Sequence, residues 1–169
     1  MDVSLWTAAV DNRPAFGAIN SRIGLTSDAH RFAQETDVAA RVREQVAARD
    51  ANDPKLACVL VDEAQFLTRD QVWQLARLTD RHDIPVICYG LRTDFQGQLW
   101  SGSAALLGIA DKLVEMKAVC HCGRKATMNQ RVDDTGEPVT HGAQTEIGGN
   151  ERYVAVCRMH FVSDPADPT

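Results

Sequence analysis

Apolar positions along the chain fall into short dense runs divided by stretches of helical spacing. Val3-Ser4-Leu5-Trp6-Thr7-Ala8-Ala9-Val10 reads as a strand, and the turn residues Asp11-Asn12-Arg13-Pro14 stop it. From Ala15 to Ser27 the composition is loop-like, and Ser27 is placed to cap helical segments from Asp28 to about Arg49, where Phe32, Val38, Val42 and Val46 recur. Asp50-Ala51-Asn52-Asp53-Pro54 ends them. Ala57-Cys58-Val59-Leu60-Val61 is unbroken apolar character with two β-branched residues, which suits a strand covered on both faces. Thr68-Arg69-Asp70-Gln71 is a capping box opening a helix with Val72, Leu75, Ala76 and Leu78 inward, ending near His82. Pro85 to Gly90 reads as a second buried strand, followed by a loop to Gly102, a short helix through Ala110 and a strand from Lys112 to Met116.

This βαβαβ alternation predicts an α/β fold: a parallel sheet with right-handed crossovers, whose strands end on one edge after Val10, Val61 and Gly90. Asp11, Asp62 and Asp94 can converge there. From Ala118 the texture changes to cysteines, turn residues and short β-like pieces at Lys125 to Val132, Gln144 to Ile147 and Tyr153 to Val156. A domain boundary near residue 117 follows, with residues 1–117 before it and 118–169 after it, and Asp164 to Thr169 reads as a frayed tail.

With 169 residues, 44% of them apolar, the chain can bury a core in one domain or one domain with a small appendage. Its net charge of -5, without a basic block, argues against a nucleic-acid or anionic-membrane surface and for a small partner. No apolar run is as long as a membrane span and the first residues lack a basic start, so a cytoplasmic location is expected.

Two constellations carry chemistry. Asp62 and Glu63 follow the central apolar run, where parallel strands deliver functional groups to a ligand crevice. In phosphoryl transfer the first acid of such a pair holds hydrated Mg²⁺ and the next can take a proton from the attacking hydroxyl. The two acids also suit a helix cap. The glycine-rich loop ending in Gly-Lys-Ser/Thr that normally accompanies such a pair does not occur in the sequence. The second constellation is Cys120-His121-Cys122 with Cys157-Arg158-Met159-His160, two short ligand pairs 34 residues apart, as in small zinc ribbons. Cys120, Cys122, Cys157 and His160 would close a tetrahedral structural site, with His121 the rival ligand.

With these features in place, the chain resembles the type II, cytosolic thymidine kinase family in the form found in enteric bacteria. The resemblance rests on Cys58-Val59-Leu60-Val61-Asp62-Glu63-Ala64-Gln65-Phe66-Leu67, Ile84 to Phe95, Asp111-Lys112-Leu113-Val114-Glu115, and Ile147-Gly148-Gly149-Asn150-Glu151-Arg152-Tyr153 ahead of Cys157. It implies transfer of the γ-phosphoryl of ATP to the 5′-hydroxyl of thymidine or deoxyuridine, with Glu63 as general base and Asp62 orienting hydrated Mg²⁺. Asp11, Asn12 and Arg13, with Asp62, Glu63, Ala64 and Gln65, fall on nucleotide-contacting segments. Trp100 stands where the family has a phenylalanine over the thymine ring. Gln144, Thr145, Glu146, Ile147 and Gly148, continuing through Gly149, resemble a lasso that grips the base through its backbone, and Tyr153 matches a nucleoside contact. The implied architecture is a P-loop-NTPase-like (RecA-like) core with a small zinc-ribbon and lasso domain, a structural zinc, Mg²⁺-ATP as co-substrate and a homotetramer. The family's first strand, phosphate loop and helix have no counterpart ahead of Met1, so these 169 residues are expected to represent a core missing those parts and to be inactive by themselves. The rival expectations are a non-catalytic zinc-ribbon binding module and an inactive subunit of a kinase oligomer.

Overall fold

A computed structural model of the chain describes residues 2–10, 17–20, 23–145 and 152–161. They form two compact units, Met1–Leu91 with Ser101–Gly108, and Arg92–Trp100 with Ile109–Thr169.

The first unit is built on a parallel sheet. Its strands are β1 (Asp2–Ala8), β4 (His30–Phe32), β5 (Leu56–Val61) and β6 (Val86–Cys88), in the order β4-β1-β5-β6. A hairpin of β2 (Ala18–Asn20) and β3 (Thr26–Asp28) lies between β1 and β4 in the chain. The helices are α1 (Val38–Ala47), α2 (Arg69–His82) and α3 (Ser101–Ile109). Trp6, Phe32, Val38, Val42, Val59, Val61, Leu67, Val72, Leu75 and Leu78 make the core. Trp6 brings a polar atom inside, and its indole Nε1 donates to Ser4 Oγ (2.9 Å), which donates to Gln45 Oε1 (2.7 Å), so the donor is satisfied.

The expected capping box is present: Thr68 Oγ1 accepts from the Gln71 N–H and Gln71 Oε1 accepts from the Thr68 N–H. Gln71, only 1% exposed, does more than cap. Its Nε2 donates to the carbonyls of Ala33 (2.7 Å) and Thr36 (2.9 Å), tying α2 to the segment that precedes α1.

Three sequence expectations are corrected. Asp28 to Arg49 is not continuously helical: β3 and β4 occupy its first part, and α1 begins only after Asp37, whose Oδ1 accepts from the Ala40 N–H. Ser27 lies in β3 rather than at a cap, and Val46 faces solvent. The expected buried strand from Pro85 to Gly90 is an edge strand, with Ile87 45% exposed and Tyr89 exposed beside it. The expected strand from Lys112 to Met116 is irregular, with Leu113, Val114 and Met116 exposed. It has no strand partner among the described residues, and apolar content without a ladder does not make a strand.

The second unit holds two antiparallel pairs, β7 (Ala118–Val119) with β8 (Lys125–Ala126) and β9 (Met128–Arg131) with β10 (Tyr153–Val156). A small cluster of Cys120, Ala126, Val156 and Cys157 is buried among them. Among the described residues, no helix is long and apolar enough to cross a membrane.

Because Gln71 satisfies two carbonyls besides the cap, Gln71→Ala is expected to destabilise the protein by about 2–3 kcal/mol, against about 1 kcal/mol for Thr68→Ala. Urea unfolding of the two variants measures the difference, and equal losses would refute the role given to the Ala33 and Thr36 bonds.

Candidate active-site turn and metal centre

The ladder that forms β5 also fixes the two acids after it. The Asp62 N–H donates to Trp6 O (2.8 Å), the Tyr89 N–H to Val61 O (2.8 Å) and the Ala64 N–H to Tyr89 O (2.8 Å). The chain is therefore held on both sides as it leaves the sheet. It then turns sharply: Glu63 takes a left-handed conformation (φ 53°) and Ala64–Phe66 form one turn of 3-10 helix. Such a conformation is costly for a residue with a Cβ and persists only where the surroundings impose it. Asp62 Oδ1 accepts from the Glu63 N–H (3.0 Å), and Gln65 Nε2 donates to Glu63 Oε2 (2.6 Å). Asp62 and Glu63 are half-buried, whereas Ala64 and Gln65 are buried.

Two glycines permit this turn. A Cβ at Gly102, in the first turn of α3, would lie 2.6–2.8 Å from the carbonyl oxygens of Ala64, Gln65 and Leu67. A Cβ at Gly90 would lie 2.6 Å from Gln65 Oε1 and 3.0 Å from its backbone nitrogen. Ser103 Oγ donates to Leu91 O (2.6 Å), so α3 also holds the chain that leaves β6.

In the second unit, Asp94 is buried and its oxygens are already engaged. Oδ1 accepts from the N–H groups of Gln96 and Gln98, and Oδ2 from Gln144 Nε2 (2.8 Å). Sequence reasoning grouped Asp94 with Asp11 and Asp62; the structure gives it the work of holding a turn and Gln144. Trp100 is half-buried and its backbone N–H donates to Arg92 O, Thr145 is exposed, and Tyr153 opens β10 opposite Arg131. Asp11, Asn12, Arg13, Glu146, Ile147, Gly148 and Gly149 lie outside the described residues.

Arg131 was not visible as a functional residue in the sequence. It is buried, its guanidinium lies 3.6 Å above the Phe95 ring, and it donates to the carbonyls of His141 (3.1 Å) and Ala143 (2.9 Å). A Cβ at Gly142 would meet Arg131 Nη2 at 2.6 Å, so Gly142, at φ +130°, is the sequence trace of this contact. Arg131 and Asp94 thus pin the chain immediately ahead of the expected lasso.

Cys120, Cys122, Cys157 and His160 come together with all four donor atoms within 4.8 Å of one another. Cys122 Sγ is 3.9 Å from Cys157 Sγ, and His160 Nδ1 is 3.4 Å from Cys120 Sγ and 3.6 Å from Cys157 Sγ. A tetrahedron with Zn–S near 2.3 Å and Zn–N near 2.0–2.1 Å has edges of about 3.5–3.8 Å, so the donor set fits such an ion. His121 reaches only Cys120 (3.6 Å), and its ring stacks on His160 at 4.4 Å. The Cys122 backbone N–H, joined by the Cys157 N–H and the side chains of His160 and Cys122, outweighs burial and brings the Cys120 thiol down to about 5. At neutral pH Cys120 is a thiolate, the form that binds metal. Cys122 behaves oppositely: the Arg124 N–H favours its thiolate, but burial and the neighbouring Cys120 and Cys157 sulfurs together push it up.

The thymidine kinase family model matches residues 1–161. A thymidine kinase of Novosphingobium aromaticivorans is 67% identical over 161 residues, which cover 95% of this chain and 81% of the relative. That of Zymomonas mobilis subsp. mobilis is 54% identical over 162 residues, with 96% and 81% covered. A Legionella pneumophila (strain Lens) thymidine kinase is 51% identical over 170 residues, with 100% and 79% covered.

One metal ion per chain is expected, and Cys157→Ser should lower its affinity at least about 100-fold and abolish a cooperative melt of the second unit. Chelator competition and calorimetric melting measure both. A His160→Ala protein that keeps full affinity while His121→Ala loses it would reverse the ligand assignment.

Proposed function

This chain belongs to the thymidine kinase family, and we propose that it is of the type II, enteric-bacterial form, with its acid pair and metal-stapled unit serving phosphoryl transfer from ATP to a deoxynucleoside. What carries the reading beyond the family is the position of Asp62 and Glu63. They leave the carboxyl end of a central parallel strand and are held by ladder bonds to both neighbouring strands.

Glu63 is the general base. As the nucleoside 5′-oxygen attacks the γ-phosphorus, its proton passes to the Glu63 carboxylate and the bond to ADP breaks. Asp62 would hold the water shell of Mg²⁺, which neutralises charge on the phosphates. Ala64 and Gln65 complete the nucleotide-contacting turn, and Asp11, Asn12 and Arg13 belong to the same reading. Trp100 offers an aromatic face to the base, larger than the phenylalanine expected there. Gln144, Thr145, Glu146, Ile147 and Gly148 would hold the base by backbone groups, with Tyr153 as a further contact. Zinc on Cys120, Cys122, Cys157 and His160 would be structural, since four protein donors leave no open position. The division of labour at residue 117, the P-loop-like ancestry of the sheet, a cytoplasmic location and a homotetrameric assembly complete the proposal.

Calorimetry of the zinc-loaded chain is expected to show thymidine binding, and Trp100→Ala to weaken it about tenfold, the effect of one lost base–aromatic stack. No heat from a folded sample would overturn the nucleoside assignment. With Mg²⁺-ATP, the same sample is expected to form no thymidine monophosphate, because the 169 residues hold no Gly-Lys-Ser/Thr loop to cradle phosphates. Robust turnover would overturn that expectation.

A further inference from the structure

Gln65 is 2% exposed, and both ends of its amide are bound. Nε2 donates to Glu63 Oε2 at 2.6 Å, and Oε1 accepts from the Leu91 N–H at 3.1 Å. The orientation of the amide follows from its partners. A backbone N–H can only donate, so the oxygen faces Leu91, and the NH₂ group must then face the carboxylate. Gly90 gives the amide its room, since a Cβ there would sit 2.6 Å from Gln65 Oε1.

We propose that Gln65 is a positioning residue for Glu63: its amide holds the carboxylate in one orientation and ties it to the backbone at Leu91. The inference rests on reading Glu63 as the general base. This hold is additional to the nucleotide contact proposed for Gln65, for which the amide keeps a second N–H and a second oxygen lone pair.

A long acidic side chain without restraint samples several rotamers, whereas a base must hold one within about 0.5 Å of the proton it takes. The 2.6 Å bond from Gln65, whose amide is itself fixed at the Leu91 N–H, limits the rotamers open to Glu63.

The test is ¹³C NMR relaxation of the Glu63 side-chain methylenes in the zinc-loaded chain, with Glu63→Gln identifying the resonances. Gln65→Met preserves length and removes the amide, and the order parameter of the Glu63 side chain is then expected to fall below about 0.6, the range of a flexible group. Gln65→Glu separates the two contacts: it keeps an oxygen for the Leu91 N–H but, once ionised, cannot donate to Glu63, so the same fall is expected with the bond at Leu91 kept. Gly90→Ala, which crowds the amide oxygen, should lower the order parameter by less.

An unchanged Glu63 order parameter in Gln65→Met or Gln65→Glu, with only the melting temperature lowered, would overturn the proposal and leave Gln65 as a brace for the chain at Leu91. The relaxation measurement reads the hold of Gln65 on Glu63 whether or not Glu63 receives a substrate proton, so it stands or falls separately from the general-base reading.

Discussion

The first unit depends on a close approach between backbones at the turn after β5. The chain from Asp62 to Leu67 passes so near Gly90 and Gly102 that a methyl group at either position would overlap backbone or amide atoms. Hydrogen bonds enforce the same path, since β1 takes the Asp62 N–H and the end of β6 takes the Ala64 N–H. A left-handed Glu63 is tolerable only inside such a frame. Flexible side chains can give way by a few tenths of an ångström, but the three carbonyls facing Gly102 belong to a turn already bonded to its neighbours, so the strain has no cheap outlet.

The second unit solves a different problem. Its small buried cluster consists of Cys120, Ala126, Val156 and Cys157, with Ala118, Met128, Ala155 and Phe161 packed against it, and two of the four are candidate metal donors. Apolar burial on that scale is little for four short strands, and an ion on the four donors would add to it. Cys120 and Cys157 are buried while Cys122 is exposed, so the candidate ion site lies at the edge of the cluster.

Some local signals were read correctly and long-range ones were not. The apolar run to Val61, the Thr68–Gln71 capping box and the cysteine and histidine pairs each declare themselves within a few residues, whereas the apolar run from Lys112 to Met116 does not form a strand. The helix placed from Asp28 failed because Phe32 and Val38 are six residues apart, about 240° around a helix and so on different faces. Phe32 instead points into the core from β4, an edge strand beside β1. Thr26 and His30 carry no signal that would reveal such pairings. Gln65 and Arg131 were missed as holding residues for the same reason: their partners at Leu91, His141 and Ala143 are neighbours only after folding.

Asp94 shows how a misread acid still informs the site. Its carboxylate is committed to Gln96, Gln98 and Gln144, which leaves Asp62 and Glu63 as the acid pair of interest and makes Asp94 an anchor. Arg131 adds bonds to His141 and Ala143, while on the far side the Val132 N–H bonds Arg152 O and Tyr153 enters the β9–β10 ladder. The chain is therefore fixed just before and just after the segment between Thr145 and Arg152. A segment that recognises a base through its backbone gains from such pinning, because fixed ends remove part of the loop-closure entropy before a ligand arrives. A metal ion on the candidate donors would act on the same strands: Cys157 follows β10 directly, beside the ladder that holds Tyr153. The four candidate donors come from the β7–β8 turn and from the chain just after β10, so one cluster joins the two antiparallel pairs.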